Sequence, residues 1–357
     1  MEPSFGEEEA NACYEYMKSG YFVTEFHKTK EFEKMICDYT KAKHCIVTNN
    51  GTISLIVALM ALEIKYGDEV IVPNFTMIAS PNSIKMVGAI PVFVDIEEDT
   101  LTMDLDEVKK KVTRKTKAIM HVSMNTRSGN MDALVIFCKE NGLYLISDAA
   151  QSLGSFKNGK NLGTYGDIGS FSFSPPKIIS TGQGGCLVTD NDVLASKLRK
   201  IKDFGREKGG ADYHDEFGLN FKFTDLQACI GIEQMKKLPY RVNRMKEMWN
   251  IYCSRLANHP KITMLEPNDN QWIPWFIDIY TDNRDELHDF LKQNNIGSRP
   301  VYPPCNSQKI YKEYNDMSFP VSEKWSKMGL WLPSSIKLTD EQINYICDKV
   351  LEFWHNP

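Results

Sequence analysis

Residues 45–73 read CIVTNNGTISLIVALMALEIKYGDEVIVP. The apolar run 45–47 predicts a strand, the polar residues 48–51 a turn, and residues 52–64 a helix. Residues 69–73 then predict a second strand. A strand, a helix and a strand in this order form a right-handed unit in which the two strands run parallel. The stretch therefore predicts a parallel sheet covered by helices.

The same alternation continues on both sides of this stretch. Two further helices are predicted before it, at 7–18 and 29–41. Strands are predicted after it at 91–95, 118–122 and 143–147, with helices at 80–87, 105–112 and 133–141. Short apolar runs separated by helical stretches indicate an α/β fold with helices on both faces of a mostly parallel sheet.

The pattern changes after residue 167. Two close apolar runs, 168–173 and 185–189, are joined by a loop rich in Pro and Gly, which is typical of strands around a functional loop. A long helix at 224–254 leads to a predicted strand at 275–280 and helices at 284–294 and 339–354. We expect a large domain over residues 1–240 and a small C-terminal domain over residues 241–357.

Composition excludes several classes of protein. The 357 residues carry 42 Lys and Arg against 47 Asp and Glu, a net charge of −5 without a concentrated basic face, which argues against nucleic acid as the ligand. The nine cysteines show no Cys-x-x-Cys spacing, so neither a metal site nor a disulfide framework is expected. With an acidic start and no apolar run long enough to span a bilayer, we expect a cytoplasmic protein that binds no membrane.

The first candidate site is Asn50-Gly51-Thr52, at the turn between a strand and a helix. A helix start offers unpaired amides and the positive end of the helix dipole, and the Thr hydroxyl adds a donor, so an anion such as phosphate is favoured. The alternative is a Thr that only caps the helix after a Gly turn.

Two further signals follow strands. Asp148 ends an apolar strand, where ligands of parallel sheets bind, although Asp is also a common residue of turns. Lys177 lies in a loop of small and apolar residues, and a poorly solvated lysine has a lowered pKa that makes it a usable nucleophile or base. The alternative for Lys177 is an ordinary surface position.

A near match to the phosphate-binding loop of nucleotide hydrolases occurs at 154–161. It fails because Asn161 stands where a Ser or Thr would hold magnesium, and the residues after it do not predict the required helix. No dinucleotide-binding glycine pattern follows the first strand, so that class is also not supported.

Together the signals match what pyridoxal 5'-phosphate requires: a phosphate cradle, a carboxylate for the pyridine nitrogen and a lysine. The chain resembles the DegT/DnrJ/EryC1/StrS family of nucleotide-sugar aminotransferases over nearly its whole length. The motifs that carry the resemblance include Asn50-Gly51-Thr52, Asp148-Ala-Ala-Gln151, Phe171-Ser-Phe173, Lys177, Gly218-Leu-Asn-Phe-Lys222 and Ser298-Arg-Pro300. The family implies the aspartate-aminotransferase fold, with a mixed, mostly parallel seven-stranded sheet and a small C-terminal α/β domain.

The resemblance also implies roles for individual residues. Lys177 would bind the cofactor as a Schiff base and move the proton during catalysis, and Asp148 would keep the pyridine nitrogen protonated. Five further residues would contact the cofactor: Gly51, Thr52 and Ser172 at the phosphate, Gln151 at the ring, and Asn220 from the other protomer of a homodimer. Family branches that remove groups from the sugar carry His in place of Lys177, so the lysine favours transamination.

Departures from the family pattern affect the ring face and the substrate side. Met77 stands where an aromatic residue usually stacks on the cofactor ring, and would supply a polarisable apolar face. Residues 124–131 replace a usual Tyr-Gly segment and add Arg127, which suits a pyrophosphate or an ion pair elsewhere. The resemblance also implies that Thr24, Arg299 and Tyr302 contact the substrate.

The predicted reaction has two halves, in which L-glutamate converts the cofactor to pyridoxamine 5'-phosphate and the amino group then passes to a ketone on a nucleotide-linked sugar. We expect amination at C4 of a 4-keto-6-deoxyhexose, giving a 4-amino-4,6-dideoxy sugar of the viosamine or perosamine type. The alternatives are a 3-keto sugar, a regulatory protein that binds the cofactor without turnover, and a lyase that retains the lysine.

Overall fold

The computed structural model describes residues 3–208, 212–266 and 271–355. Over these residues the α-helices are α1 Glu7–Lys18, α2 His27–Thr40, α3 Gly51–Ala61, α4 Ala79–Met86, α5 Leu105–Lys111, α6 Met131–Glu140, α7 Asp192–Lys202, α8 Asp225–Leu256, α9 Arg284–Gln293, α10 Pro320–Met328 and α11 Asp340–His355. The strands are β1 His44–Thr48, β2 Glu69–Pro73, β3 Ile90–Val94, β4 Thr116–Val122, β5 Tyr144–Asp148, β6 Phe156–Lys157, β7 Lys160–Asn161, β8 Ile168–Ser172, β9 Gly185–Thr189, β10 Ile277–Tyr280, β11 Arg299–Pro300 and β12 Gly329–Leu332.

A seven-stranded sheet forms the centre of the fold, in the order β1-β9-β8-β5-β4-β2-β3. Its neighbours pair parallel from β8 to β3, whereas β9 pairs antiparallel with both β1 and β8. The sheet is therefore mixed and mostly parallel, as predicted. Because only β9 is reversed, the carboxyl ends of β1, β2, β4, β5 and β8 meet at one edge.

Helices cover both faces of this sheet. Successive strand residues point to opposite sides, so each strand contributes apolar side chains to both layers. On one face, Val47 and Phe171 pack with α2, α8 and α11 around residues such as Phe32 and Leu238. On the other face, Ile46 and Leu187 pack with α3, α4 and α7. The long runs of Val, Ile and Leu in the strands reflect burial on both sides.

A second sheet of three strands, in the order β10-β12-β11, lies in the C-terminal part of the chain. The predicted strand 275–280 begins only at Ile277, because the amides of Trp275 and Phe276 donate to the side chain of Asn125. Helix α8 runs through residue 240, where we place the domain division. That division stays a prediction.

Two helices went unpredicted although each has a start signal. Asn191 caps α7 by accepting from the amides of Val193 and Leu194, and Pro320 occupies the first turn of α10. Residues 154–161, the near match to a phosphate-binding loop, contain the hairpin of β6 and β7.

Candidate active site

A cavity of about 360 Å³ lies at the edge of the large sheet where the parallel strands end. It brings together nine of the residues predicted from sequence: Gly51, Thr52, Met77, Asp148, Gln151, Ser172, Lys177, Arg299 and Tyr302. A larger surface cavity of about 490 Å³ lies near the amino ends of β5 and β8 and contains none of the residues predicted for the site. Size alone would therefore not identify the site.

The start of α3 forms an anion cradle on the cavity wall. Asn50 accepts from the amide of Ile53 through its side chain (2.9 Å) and from the amide of Ser54 through its carbonyl (3.1 Å). This leaves the amides of Gly51 and Thr52, at the positive end of the helix, for a ligand. Asn50 and not Thr52 caps the helix, so the predicted capping by the Thr is wrong, and the Thr52 hydroxyl is not used as a cap.

Glycine is required where the cradle meets the sheet. A Cβ on Gly51 would lie 2.8 Å from the Cβ of Ser172, and a Cβ on Gly185 would lie 2.7 Å from the amide nitrogen of Gly51. Gly185 pairs with Thr48 on one side and with Ser172 on the other. The reversed strand β9 therefore lets β1 and β8 bring the helix start and the Ser172 hydroxyl to the same point.

Asp148 ends β5 with its carboxylate buried beneath the cavity. Oδ2 accepts from the Ser80 hydroxyl at 2.7 Å, and Oδ1 accepts from the amide of Ala150 at 3.2 Å. Burial raises the pKa of Asp148, and the hydrogen bond from Ser80 opposes that rise. A cationic ring nitrogen in the cavity would favour the ionised carboxylate.

Lys177 follows β8 and is half-buried on the cavity wall. Burial of its amine lowers the pKa to about 8, and the nearby charge of Asp148 acts in the opposite direction. The amine lies 3.9 Å from the centre of the Trp275 ring. A desolvated lysine with a lowered pKa is suited to nucleophilic attack and to proton transfer.

Gln151 and Met77, both predicted to contact the cofactor, also line the cavity. The Gln151 side-chain oxygen accepts from the amide of Asn125 at 2.6 Å, which fixes the orientation of the side chain. Met77 is 44% exposed and contributes an apolar wall. Of the two cavity residues predicted to contact the substrate, Arg299 is exposed and lies near Tyr302, whose pKa burial raises to about 12.

Three predicted residues lie outside the cavity. Thr24 pairs with Thr224 at an isolated bridge, and Asn220 is exposed and pairs with Asp203. Arg127 is buried and donates to both carboxylate oxygens of Asp278, at 2.7 and 3.1 Å. The structure thus favours the ion pair over the substrate contact for Arg127.

Sequence reasoning missed several residues of the site. Ser80 holds Asp148, Ser174 shares a hydrogen bond with Ser172 (3.3 Å), and Trp275 covers the Lys177 amine. Ser174 could have been found, because it lies in the serine-rich run before Lys177. Ser80 and Trp275 carry no local signal, since each acts on a residue far away along the chain.

The residues present fit pyridoxal phosphate in three separate respects. The start of α3 and the Ser172 hydroxyl suit its phosphate, the Asp148 carboxylate suits its ring nitrogen, and the Lys177 amine suits its aldehyde. Over the described ranges, no group of three or more His, Cys, Asp and Glu side chains is placed to hold a metal ion. Among those same residues, no helix is long and apolar enough to cross a membrane.

Comparison with known proteins gives full-length matches. The sequence profile described as the DegT/DnrJ/EryC1/StrS aminotransferase family matches residues 3–351. The GDP-perosamine synthase of Vibrio cholerae is 35% identical over 360 residues, covering 99% of this chain and 98% of the synthase.

Solved structures agree with these sequence matches. DesV of S. venezuelae, in complex with a ketimine intermediate, is 30% identical with a TM-score of 0.92, over 98% of this chain and 95% of DesV. NtdA of Bacillus subtilis, with the cofactor PMP bound, is 27% identical with a TM-score of 0.91, over 98% of this chain and 82% of NtdA. The fold class predicted from the sequence is therefore confirmed.

Proposed function

Because the chain belongs to the DegT/DnrJ/EryC1/StrS aminotransferase family, we propose that it transfers an amino group from L-glutamate to C4 of a nucleotide-linked 4-keto-6-deoxyhexose. The protein is a pyridoxal-phosphate-dependent sugar aminotransferase. The donor, the position on the sugar and the nucleotide are the parts we propose.

The observation that carries the proposal is the convergence of a lysine, a carboxylate and a helix start on one cavity. When bound, pyridoxal phosphate supplies an aldehyde and a conjugated ring that withdraws electrons from the carbon bearing the amino group. The amides of Gly51 and Thr52 and the Ser172 hydroxyl hold the phosphate. Asp148 keeps a proton on the ring nitrogen.

Lys177 would hold the aldehyde through its amine, and the same amine would move the proton that transamination requires. Because burial lowers its pKa to about 8, the amine can both accept and donate a proton near neutral pH. Met77 and Gln151 hold the ring in position. Among these residues only Lys177 carries a group that exchanges protons with the reacting carbon.

The substrate enters on the side of Arg299 and Tyr302. The exposed guanidinium of Arg299 suits the phosphates of a nucleotide sugar, and the Tyr302 hydroxyl stays protonated because burial raises its pKa. The relative from Vibrio cholerae is a GDP-perosamine synthase. A GDP-linked 4-keto-6-deoxy sugar is therefore the first substrate to test.

We also propose that the enzyme is a cytoplasmic homodimer with shared active sites. Within one chain, Asn220 lies outside the cavity and is exposed, as a residue that serves the partner's site would be. Nearby exposed apolar side chains, Phe217 and Leu219, supply surface for such an interface.

The experiment is incubation of the purified protein with L-glutamate and a panel of GDP-, UDP- and dTDP-linked sugars, read by mass and by NMR of the product. We expect a 4-amino product from a 4-keto-6-deoxy sugar. Amination of 3-keto sugars alone would refute C4 as the position of amino transfer. Loss of water from the sugar without gain of nitrogen would show a lyase, and cofactor binding without conversion of any amino donor would show a binding protein.

A further inference from the structure

The segment that departs from the family pattern has an unusual backbone. Asn125 and Thr126 both have positive φ, 45° and 68°, although neither is glycine. Asn tolerates this region better than other residues, whereas for a β-branched Thr it is an outlier. Such a conformation persists only where the surroundings hold it in place, and it is common at functional sites.

Asn125 is buried and uses each of its polar groups. Its backbone N–H donates to the Gln151 side chain at 2.6 Å, and its carbonyl accepts from the indole of Trp272 at 3.1 Å. Its side-chain oxygen accepts from the amides of Trp275 (3.1 Å) and Phe276 (2.9 Å), and its side-chain nitrogen donates to the Phe276 carbonyl at 2.9 Å.

These contacts join two walls of the active-site cavity. Gln151 lines the cavity just after β5, and Trp275 and Phe276 line it from the chain just before β10. The Trp275 ring is held a second time, since its indole N–H donates to the Pro176 carbonyl at 2.7 Å. Pro176 directly precedes Lys177, so the ring is tied to the lysine loop and, through Asn125, to the sheet.

We propose that Asn125 is a positioning residue, which holds the Trp275 ring against the Lys177 amine and thereby sets where that amine points whenever it is free. The ring face attracts the amine and shields it from water. Asn125 acts through Gln151, the Trp272 indole and the backbone of Trp275 and Phe276. The inference rests on the proposed role of Lys177 as the cofactor-binding residue.

The test measures how fast the Lys177 amine reacts with an acetylating reagent in the full-length protein without cofactor. Labelling is followed by mass spectrometry of the Lys177 peptide at one alkaline pH, so that the amine is neutral in every variant, with the exposed Lys34 as internal reference. Asn125→Gly keeps the left-handed backbone and the N–H to Gln151 but removes the side chain. Trp275→Leu removes the ring.

We expect each single variant to raise the labelling rate of Lys177 about two- to fivefold, since the neutral amine loses its weak N–H···π contact with the ring and the cover that the ring gives it. The double variant should label no faster than Trp275→Leu alone, because Asn125 acts through the ring. If Asn125 only stabilised the fold, the effects of the two substitutions on the labelling rate would multiply. Multiplied effects, or wild-type labelling in Asn125→Gly, would overturn the proposal.

Asn295→Gly is the matched control. Asn295 also has a positive φ, 58°, but it is exposed at the end of α9, and its substitution should leave Lys177 labelling unchanged. Thermal unfolding shows which variants are folded. If Asn125→Gly does not fold, the same labelling criteria are applied to Asn125→Asp. Asp keeps the size of the side chain and also tolerates the left-handed backbone conformation, but it lacks the donor to the Phe276 carbonyl.

Borohydride reduction of the wild-type protein with bound cofactor distinguishes a failure of the proposed function from a failure of the inference about Asn125. Cofactor trapped on Lys177 supports the proposed function whatever the labelling shows. Cofactor trapped elsewhere would refute that function and, with it, the reason for positioning this amine. Trapping on Lys177 together with wild-type labelling in the Asn125 variant that folds would refute the inference alone.

Discussion

At the scale of the residue, Lys177 is governed by two opposing effects. Burial of the amine favours the neutral form, and the Asp148 carboxylate favours the ammonium. The outcome is a pKa of about 8, well below the value of about 10.4 for a solvated lysine. A substantial fraction of the amine is therefore neutral at pH values where an exposed lysine is fully charged.

We predict that the reaction of Lys177 with an acetylating reagent, in protein without cofactor, rises with pH and levels off above a midpoint near pH 8. Only the neutral amine reacts, so the rate follows its deprotonation. In Asp148→Asn the midpoint should fall further, because the opposing charge is gone. Mass spectrometry across a pH series measures both, and a midpoint near that of exposed lysines would contradict the prediction.

At the scale of the element, the phosphate site that we propose depends on the contact between the start of α3 and the end of β8. The helix can begin beside Ser172 only because residue 51 has no side chain. A methyl group added at residue 51 would strain this contact, since the Cβ of Ser172 belongs to a paired strand and cannot easily move.

We predict that Gly51→Ala weakens cofactor binding about tenfold or more, because relief of the contact at 2.8 Å moves the helix start away from Ser172 at a cost of about 1–3 kcal/mol. Titration of the protein with pyridoxal phosphate measures the dissociation constant. Gly297→Ala is the control, since a Cβ there has no atom within 4 Å. Equal affinities for both variants would show that the cradle is not at α3.

At the scale of the whole molecule, a buried ion pair joins the loop after β4 to the three-stranded sheet. Arg127 and Asp278 are 3% and 1% exposed, and Tyr280 donates to the same carboxylate at 2.8 Å. Burial alone would lower the pKa of Arg127, but the charge of Asp278 raises it. Arg127 also donates to the Leu265 carbonyl at 3.1 Å, so its guanidinium contacts the chain both before and after Trp275, which lines the cavity.

We predict that Arg127→Met or Asp278→Leu lowers the free energy of unfolding by about 3–5 kcal/mol, because each leaves an unpaired buried charge. The double variant should lose less than the sum of the two. Denaturant unfolding of the four proteins measures the coupling. Lys34→Ala, which breaks an exposed pair with Asp38, should change stability by less than about 1 kcal/mol. Additive effects at Arg127 and Asp278 would contradict the prediction.

The proposed dimer makes a prediction about mixed protomers. Lys177→Ala and Asn220→Asp should each be inactive alone, and a mixture that exchanges subunits should recover about a quarter of the wild-type activity, because half the dimers then carry one intact site of two. Amino transfer from L-glutamate is the measurement. No recovery after verified exchange would show that Asn220 serves its own chain.

The sequence predicted the fold class because strands and helices leave periodic patterns in neighbouring residues. It also predicted the enzyme class and the cofactor, both confirmed by the full-length family match. Of the candidate site, Gly51, Asp148 and Lys177 could be proposed because each follows a strand, and the carboxyl ends of parallel strands meet at one edge. Their individual roles stay predictions, as do the domain division and the cytoplasmic location.

What the sequence determined by itself is thus the order of the elements and the residues that those elements carry to the sheet edge. Only the tertiary structure decided the pairings made between distant parts of the chain. Trp275 and Pro176 lie 99 residues apart and Arg127 and Asp278 lie 151 apart. No local pattern marks such pairs, because each is selected by its partner in space, and it is these pairs that give the Lys177 amine its surroundings.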